Sequence, residues 1–414
     1  MLVQDWADAL FGEPRRTVTI TYRRMNGKQE RTMQILTTNH YCSHFTVPPQ
    51  AQHSIERARF INLGHLWSPA EAIAAYPPMR SFDLAHFINN IPIALRKPWV
   101  VTFESALPRM FPPSESLRGH LRRQLCSPAC LAIVAMSAWA LASFKRLNAG
   151  WDGLDKVLAK AYVLQPAIPL RASTPRTLQK GATIRLVFVG NNFSRKGGIV
   201  ALRLARRALA EGLRLQINIV SSKMICSGSH TDHPDPTRYQ TDLKSMDLPN
   251  VIFRGAMNNQ QVLTLMGACH INFLATLHDT YGFSVLEGFA NGLPAITTDV
   301  CALPEFVFPA PAANANGLLI HLPRDHRGCW SHVEESRSAN YWEMLDEAYE
   351  SMTEQALAHL CALAAAPGEL EQLSQGAIAS VEQHHNRVLL ARALDAIYRK
   401  VQPTRHAESI LSIS

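Results

Sequence analysis

Two carboxylates, Asp279 and Glu287, stand on either side of a predicted helix start. The apolar run at 283–290 is typical of a short helix that the Asn-Gly pair at 291–292 ends, so Asp279 precedes the helix and Glu287 lies one turn inside it. The first N–H groups of a helix lack internal partners and carry the positive end of its dipole, so a diphosphate can bind there. Gly282 would allow a close approach. This spacing suits a diphosphate-linked sugar nucleotide, with one carboxylate for the hydroxyls at each end.

A second polar turn, GNNFSRKGG at 190–198, follows the apolar run IRLVFV and opens another predicted helix. The turn matches neither the GxGxxG dinucleotide pattern nor the GxxxxGK[ST] phosphate loop, which argues against an NAD enzyme or an NTPase. Lys196 can neutralise a diphosphate, and the neighbouring Arg195 can supply a second positive charge. We therefore predict that this turn contributes to the same anion site.

In the first half, His86 and Glu104 follow or end apolar runs, in FDLAHFINN and WVVTFES. A carboxylate beside an anomeric carbon can orient an acceptor hydroxyl or stabilise positive charge that builds on the sugar ring. A Glu after an apolar strand is equally typical of a helix cap or a solvated side chain. Both interpretations of Glu104 stay open from the sequence.

No metal site is predicted. The segment HTDHPD at 230–235 has two imidazoles and two carboxylates, but no regular element would hold them, and a mobile polar loop is the better interpretation. The 8 cysteines are scattered without the paired spacing of a zinc or disulfide framework, which favours a reducing, cytoplasmic compartment. Residues 1–16 lack the pattern of a signal peptide, and the longest apolar run, 129–144, is too short to span a bilayer.

Composition and charge describe a globular chain with two different halves. The 414 residues, 47% apolar and 18% charged, are enough for two or three domains. Residues 1–180 hold 22 Lys and Arg against 11 Asp and Glu, a net +11, which leaves 19 against 22, a net −3, for the remainder. The basic half could bind anionic lipid headgroups or an anionic acceptor, or be only a solvated face. Nucleic acid is disfavoured because aromatic residues do not interleave with the basic ones.

Apolar strands alternate regularly with helices from residue 184 onward, which predicts a parallel sheet wrapped by helices with its ligand crevice at the carboxyl ends of the strands. The polar stretch 171–183 is a candidate interdomain linker. The first half carries candidate strands that predict a second, similar domain, preceded by a hairpin that turns at Asn26-Gly27. These candidate strands are MQILTT, RFINLG, FDLAHFI, PWVVTFE, CLAIVAMS and AYVLQ.

The segment that begins at Leu277 resembles the signature of the retaining GT-B glycosyltransferases of family 4, also described as glycosyl transferases group 1. That signature is an acidic residue, seven residues, a Glu, and then a GLP-[VI]-TD-x-x-x-x-PE run. Asp279 stands where the family usually has Glu. The matching residues are Glu287, Gly292, Leu293, Pro294, Thr298, Asp299, Pro304 and Glu305.

The resemblance implies roles for individual residues. Asp279 would contact hydroxyls of the donor sugar, and Glu287 would contact the ribose. Glu104 falls where the family often has a His that contacts the donor sugar, and Ser137 aligns with a Ser that is common at a strand end. The implied catalytic residues are Asp279, Glu104 and Lys196, with His86 and Ser137 on the acceptor side. The implied donor-binding residues are Gly190, Asn191 (at the family's Arg position), Arg195, Lys196, Tyr281, Gly282, Phe283, Ser284 and Glu287.

The implied fold is α/β of the GT-B type, with two Rossmann-like parallel-sheet domains facing across a cleft and a C-terminal helix that crosses back to the first domain. Residues 1–175 would bind the acceptor and include the N-terminal hairpin extension. Residues 182–385 would bind the nucleotide sugar, and 386–414 would form the returning helix and a tail. A helix predicted over 388–400 fits this scheme.

The implied reaction moves a sugar from a nucleoside-diphosphate sugar to an acceptor hydroxyl with retention, in polysaccharide, lipopolysaccharide or glycolipid biosynthesis. The enzyme would be a hexosyltransferase in the cytoplasm or on the inner face of the membrane, with a carbohydrate or glycolipid acceptor and no cofactor or metal. Two alternatives stay open. One is a GT-B epimerase or hydrolase, and the other is a catalytically weak nucleotide-sugar-binding partner subunit, suggested by the departures at Asp279, Asn191 and Glu104.

Overall fold

The computed structural model describes residues 32–49, 52–61, 63–75, 81–225 and 231–400. The described residues fall into two compact units. One contains the chain up to Ala135, together with Lys145–Leu164 and the helix after Val388, and the other contains Met136–Phe144 and Gln165–Arg387. The hairpin predicted around Asn26-Gly27 lies outside the described residues.

The first unit is built on a six-stranded parallel sheet with the order β2-β1-β3-β4-β5-β6. Its two middle strands, β3 and β4, are buried at every position, and β2 at the edge has a half-exposed, polar pattern. The strands are β1 Gln34–Thr38, β2 Ser54–Ala58, β3 Leu84–Ile88, β4 Trp99–Phe103, β5 Cys130–Ala135 and β6 Ala161–Val163.

Five of the six strands predicted in the first half are confirmed, and the strand predicted at RFINLG is wrong. The chain pairs with β1 five residues earlier, over Ser54–Ala58, and Ile61 makes only an isolated antiparallel bridge to Ala75. The sequence SIERA has few apolar residues because it forms a sheet edge, so its periodicity gives little signal. The helices here are α1 Ser43–Thr46, α2 Glu115–Cys126, α3 Ala138–Leu147 (whose first residues belong to the other unit) and α4 Leu154–Leu158, with 3₁₀ turns at Leu63–His65 and Ser68–Ala72.

The second unit has a six-stranded parallel sheet with the order β9-β8-β7-β10-β11-β12. Strands β10 and β11 are wholly buried, which explains their unbroken apolar runs. The strands are β7 Ile184–Val189, β8 Leu215–Val220, β9 Val251–Gly255, β10 Ile271–Leu274, β11 Ala295–Thr298 and β12 Gly317–Ile320. The predicted alternation of strands and helices in this half is confirmed.

Helices flank this second sheet. The segment at 171–183, which precedes the sheet in the sequence, contains no helix or strand. The amides of Arg171 and Ala172 both donate to the Ala290 carbonyl, so this stretch is packed on the unit that follows it. The helices are α5 Gly198–Ala210, α6 Gln240–Leu243, α7 Asn259–Gly267, α8 Phe283–Ala290, α9 Tyr341–Ala365 and α10 Gly368–Gln383, with 3₁₀ turns at Pro236–Tyr239, Lys244–Asp247 and Leu303–Glu305.

The last described helix, α11 (Arg387–Tyr398), packs on the sheet of the first half, as predicted. Its Asp395 accepts from His53 Nε2 at 2.8 Å, and its Tyr398 hydroxyl lies 2.6 Å from His86 Nδ1. Among the helices described, none has the length and apolarity required to cross a membrane.

Candidate active site

The predicted donor residues gather where the strand order of the second sheet reverses. Strands β7 and β10 are neighbours there, although the 81 residues at 190–270 separate the end of β7 from the start of β10 in the sequence. In open parallel sheets, ligands bind at this switch point, outside the carboxyl ends of the strands. The turn that starts at Gly190 leaves β7, and the loop that carries Asp279 leaves β10. The fold therefore brings both predicted anion-binding segments to one edge.

Asp279 and Lys196 form the centre of this site. The Lys196 Nζ lies 2.8 Å from Asp279 Oδ2, and the carboxylate is buried while the ammonium is 23% exposed. Burial alone would raise the pKa of Asp279, but the positive charges of Lys196 and Arg195 and hydrogen bonds from Lys196 and the Gly282 amide lower it to about 2. The carboxylate is thus ionised at neutral pH and held in one place.

The second oxygen of Asp279 fixes the start of helix α8. Asp279 Oδ1 accepts from the Gly282 amide at 3.0 Å and lies 3.4 Å from the Tyr281 amide. Such a bond satisfies one of the backbone donors that a helix start leaves unpaired. Ser284, inside the first turn, has a buried hydroxyl oxygen for which the structure contains no hydrogen-bond partner. A polar ligand at this helix start would supply one.

Three glycines make room for this arrangement. Gly282 has φ +85°, and a Cβ there would lie 2.6 Å from Leu303 Cδ2. Gly197 has φ +94°, and a Cβ there would overlap the Ala275 carbonyl. At Gly190 a Cβ would lie 2.7 Å from Lys196 Cδ, so the missing side chain is what lets the lysine stem cross the end of β7.

Glu287 is buried inside α8, one turn beyond its start, as predicted. Its Oε1 accepts from Asn259 Nδ2 at 2.8 Å, and Asn259 Oδ1 is buried without a hydrogen-bond partner in the structure. No sequence motif singled out Asn259. The available signal was its position beside Asn258, whose capping box with Gln261 begins helix α7.

The other predicted donor residues have mixed environments. Arg195 contacts the His278 carbonyl, and its own carbonyl accepts from the Leu277 amide at 3.0 Å, so it ties the two loops together. Asn191 is exposed and accepts from Ser222. Phe283 is half-buried against Tyr281. The Tyr281 side chain is buried and stacks on Phe306 in the core, and burial raises its pKa above the ordinary value.

The later residues of the signature hold the site's loops. Thr298 Oγ1 donates to the Thr276 carbonyl at 2.6 Å, which ties the end of β11 to the end of β10. Asp299 accepts from the Leu322 amide at 3.1 Å. Glu305 accepts from the backbone amides of Ala138 and Trp139 at 2.7 and 2.6 Å, which caps the start of α3. These positions support the site rather than contact a ligand.

In the first unit, Glu104 lies just after β4 and is part of a polar cluster. Its Oε1 accepts from Arg109 at 2.7 Å, and its backbone amide donates to Asn89 Oδ1 at 3.1 Å. Asn89 follows the neighbouring strand β3 and has φ +61°. The carboxylate is 14% exposed. It is neither a helix cap nor a freely solvated side chain, because it is paired with Arg109 at the carboxyl edge of the sheet.

The predicted acceptor contacts of His86 and Ser137 require correction. His86 lies inside β3 and is wholly buried, with Nδ1 on Tyr398 and Nε2 2.7 Å from Thr102 Oγ1, and burial lowers its pKa to about 3. Ser137 Oγ accepts from the Ala140 amide at 3.0 Å as a buried helix cap. His86 thus lies within its strand, β3, and not at its end, whereas Ser137 does follow a strand, β5, but its hydroxyl is occupied by the start of helix α3.

The described part of the HTDHPD segment makes structural contacts. Asp235 caps the 3₁₀ turn through Thr237, and His233 stacks on Tyr341. Position 230 lies outside the described residues. The interpretation of this segment as a polar loop without a metal site stays a prediction.

Two Rossmann-like parallel-sheet domains define the GT-B fold. Residues 183–329 match the family described as glycosyl transferases group 1, so this stretch is similar to a glycosyltransferase domain of that kind. The comparison with curated protein sequences yields no significant match.

Solved structures with TM-scores above 0.5 share the fold at low sequence identity. Sucrose-phosphate synthase from Thermosynechococcus elongatus has a TM-score of 0.54 and 13% identity, over 90% of this chain and 99% of that chain. HepE from Anabaena, in complex with UDP-glucose, has 0.54 and 13% over 89% and 100%. WaaG, a glycosyltransferase involved in lipopolysaccharide biosynthesis, has 0.51 and 16% over 84% and 87%.

Proposed function

We propose that this protein is a retaining glycosyltransferase that moves a hexose from a nucleoside-diphosphate sugar to an acceptor hydroxyl. The observation that carries the proposal is the Lys196–Asp279 pair at the switch point, directly before the start of helix α8. A cation and a row of helix-start amides can bind a diphosphate, and the adjacent carboxylate can accept from sugar hydroxyls. The match of 183–329 to glycosyl transferases group 1 supports the same activity.

The hard step is departure of the diphosphate, because negative charge builds on its leaving oxygen. Lys196 and the backbone amides of Phe283 and Ser284, at the start of α8, would stabilise that charge. Donor binding would draw Lys196 from Asp279 towards the diphosphate and leave the carboxylate to the sugar. Retention then requires attack from the leaving-group face, with a diphosphate oxygen taking the acceptor's proton.

Glu287 would bind the ribose hydroxyls together with Asn259, whose unpartnered Oδ1 is a second acceptor at the same position. Glu104 would act on the acceptor side, held in place by its ion pair with Arg109. We assign a carbohydrate or glycolipid as the acceptor, in polysaccharide, lipopolysaccharide or glycolipid synthesis. The named activity of WaaG supports this class. We place the enzyme in the cytoplasm or on the inner membrane face.

The diphosphate is proposed to need no divalent metal ion, because Lys196 and the start of α8 supply its positive charge. Turnover should therefore persist without added Mg²⁺ or Mn²⁺. An absolute requirement for either ion would contradict this part of the proposal.

A thermal-shift panel of UDP-, GDP- and ADP-hexoses tests the function, with UDP-glucose first because HepE binds it. A ligand at about 100 times its Kd adds roughly 2.7 kcal/mol to the free energy of unfolding, which is easily measured. The stabilising donor is then incubated with candidate acceptors, and the anomeric configuration of the product is read by NMR. Stabilisation by one donor class and a product of unchanged configuration are expected. No stabilisation by any nucleotide sugar, or inversion, would refute the proposal.

A further inference from the structure

Three potential metal ligands lie together beside the donor site. A ring nitrogen of His278 and the sulfurs of Cys301 and Cys329 all lie within 4.8 Å of one another. They come from three separate loops, after β10, after β11 and in the turn closed by the Arg324–Trp330 bridge. Among the described residues this is the one cluster of three or more His, Cys, Asp or Glu ligand atoms with such spacing. The sequence does not reveal this cluster, because Cys301 lies 23 residues after His278 and Cys329 lies 28 residues after Cys301.

The donor set suits a soft divalent ion. Two thiolates and an imidazole are typical zinc ligands, with Zn–S near 2.3 Å and Zn–N near 2.0 Å, which in a tetrahedron separates ligand atoms by about 3.5–3.8 Å. The separations in the structure are within a small side-chain adjustment of these values. Both cysteines are buried and His278 is half-buried. Three ligands leave the fourth tetrahedral position for a water molecule.

The backbone at Cys301 is a second, independent observation. Cys301 has φ +55°, a left-handed conformation that costs about 1–2 kcal/mol for a residue with a Cβ. Its amide donates to the Gly328 carbonyl at 2.7 Å, which holds this strained residue against the turn that carries Cys329. Strain at a residue that glycine would relieve indicates a use for the side chain. Here that side chain is the thiol that faces the other two ligands.

The turn that carries Cys329 is held by Asp325, whose Oδ1 accepts from the Arg327 amide at 2.8 Å and from the Cys329 amide at 3.1 Å. The thiol is therefore presented by a rigid turn.

We propose that His278, Cys301 and Cys329 bind a zinc ion that fixes the loop carrying Asp279. His278 is the chain neighbour of Asp279, and the Cys301 sulfur hydrogen-bonds the Asp279 backbone. An ion shared by the three loops would hold Asp279 in a fixed position at the donor site. The ion contacts neither diphosphate nor sugar. Its effect on transfer rests on the proposed function, whereas its binding does not.

Metal content and cobalt spectroscopy on the full chain test the site without an activity assay. The protein is stripped of metal under reducing conditions, reconstituted with Zn²⁺ or Co²⁺, desalted and analysed. We expect one ion per chain and, with Co²⁺, the sulfur-to-cobalt charge-transfer absorption of thiolate ligation. The matched control is Cys361→Ser, which removes an exposed cysteine and should change neither result.

The decisive variant is Cys301→Gly, because glycine suits the left-handed backbone and should keep the fold. Its thermal midpoint without metal should equal or exceed that of the metal-free wild type. Its zinc affinity should fall by more than the roughly 10–100-fold that changes outside the ligand set produce. Cys329→Ser should also lose the charge-transfer band. Wild-type protein that binds no ion, a Cys301→Gly protein that binds as well as wild type, or isolation with a Cys301–Cys329 disulfide that persists under reduction would overturn the proposal.

Discussion

Lys196 and Asp279 neutralise each other in the structure, and this pairing explains how one site can serve both a diphosphate and a sugar. The sequence predicted the anion-binding lysine and the carboxylate separately. It could not predict their contact, because that depends on β7 and β10 being neighbours in the sheet. The burial of His86 and Tyr281 also could not be predicted from the sequence, because an apolar run does not show which of its residues reach solvent.

Replacing Lys196 by Met should weaken nucleoside-diphosphate binding by about 1.5–3 kcal/mol, roughly 10–150-fold in Kd, because a hydrogen bond to a charged group is lost. Met keeps the apolar stem that packs over Gly190. The control is Lys180→Met, an exposed lysine in the segment before β7. Calorimetry with UDP or GDP measures the difference. If the two variants bind the nucleoside diphosphate with equal affinity, Lys196 does not contribute to the site.

At the level of elements, the tight turn from β7 into α5 sets the site's geometry. The sequence indicated the turn and its glycines, and the alternation of strands and helices gave the second domain. The edge strand β2 and the short strand β12 gave no clear pattern, since edge strands are half-solvated and short strands have few apolar positions. The hydrophobic periodicity of the sequence does not predict the order of the strands in the sheet, although that order decides which loops lie together.

Gly197→Ala should destabilise the protein more than Gly212→Ala by about 2 kcal/mol or more. Both glycines have positive φ, +94° and +70°, so both variants bear the left-handed cost of about 1–2 kcal/mol. A Cβ added at Gly197 collides with the backbone of Ala275. A Cβ added at Gly212 has no atom within 4 Å, so only the first variant suffers this clash. Urea denaturation compares the midpoints. Equal midpoints would show that the start of α5 does not approach the end of β10 as closely as described.

The contact between β3 and α11 should make the protein sensitive to acid. The folded pKa of His86, lowered by burial to about 3, is below its unfolded value of 6.5, so the unfolded state binds more protons between these values. Stability is full above pH 6.5 and is lost as pH falls, by about 3 kcal/mol from this residue near pH 4. His86→Gln should reduce that pH dependence, and the exposed His65→Gln should not. Identical pH profiles for wild type and His86→Gln would contradict the assignment.

The whole chain has an uneven charge, with a net +11 on residues 1–180 and −3 on the remainder. The sequence composition alone shows this difference in net charge between the two parts of the chain. The fold adds that several of these bases are exposed on helices, among them Arg123 and Lys145. An enzyme acting on glycolipid would gain local substrate concentration by adsorbing to an anionic surface.

We therefore expect co-sedimentation with anionic vesicles but not with neutral ones, and release by high salt. The double substitution of Arg123 and Lys145 by Ser should weaken binding by about 1 kcal/mol per residue. The matched control replaces Arg214 and Lys244, two exposed bases of the acidic half. Vesicle binding that does not depend on lipid charge or on salt would indicate that the basic half is only a solvated face. Equal weakening of binding by both double variants would indicate the same.

The most direct test of the donor site is calorimetry with the nucleoside diphosphate alone on two variants that keep side-chain shape. Glu287→Gln removes the charged acceptor proposed for the ribose and should weaken binding by about 1–2 kcal/mol, roughly 5–30-fold. Asp279→Asn frees Lys196 from its ion pair, so the diphosphate should bind as well as to wild type or more tightly, while transfer from the intact donor is lost. Weaker diphosphate binding by Glu287→Gln, without weakening by Asp279→Asn, would confirm the two roles. Equal weakening by both variants, or no change in either, would contradict them.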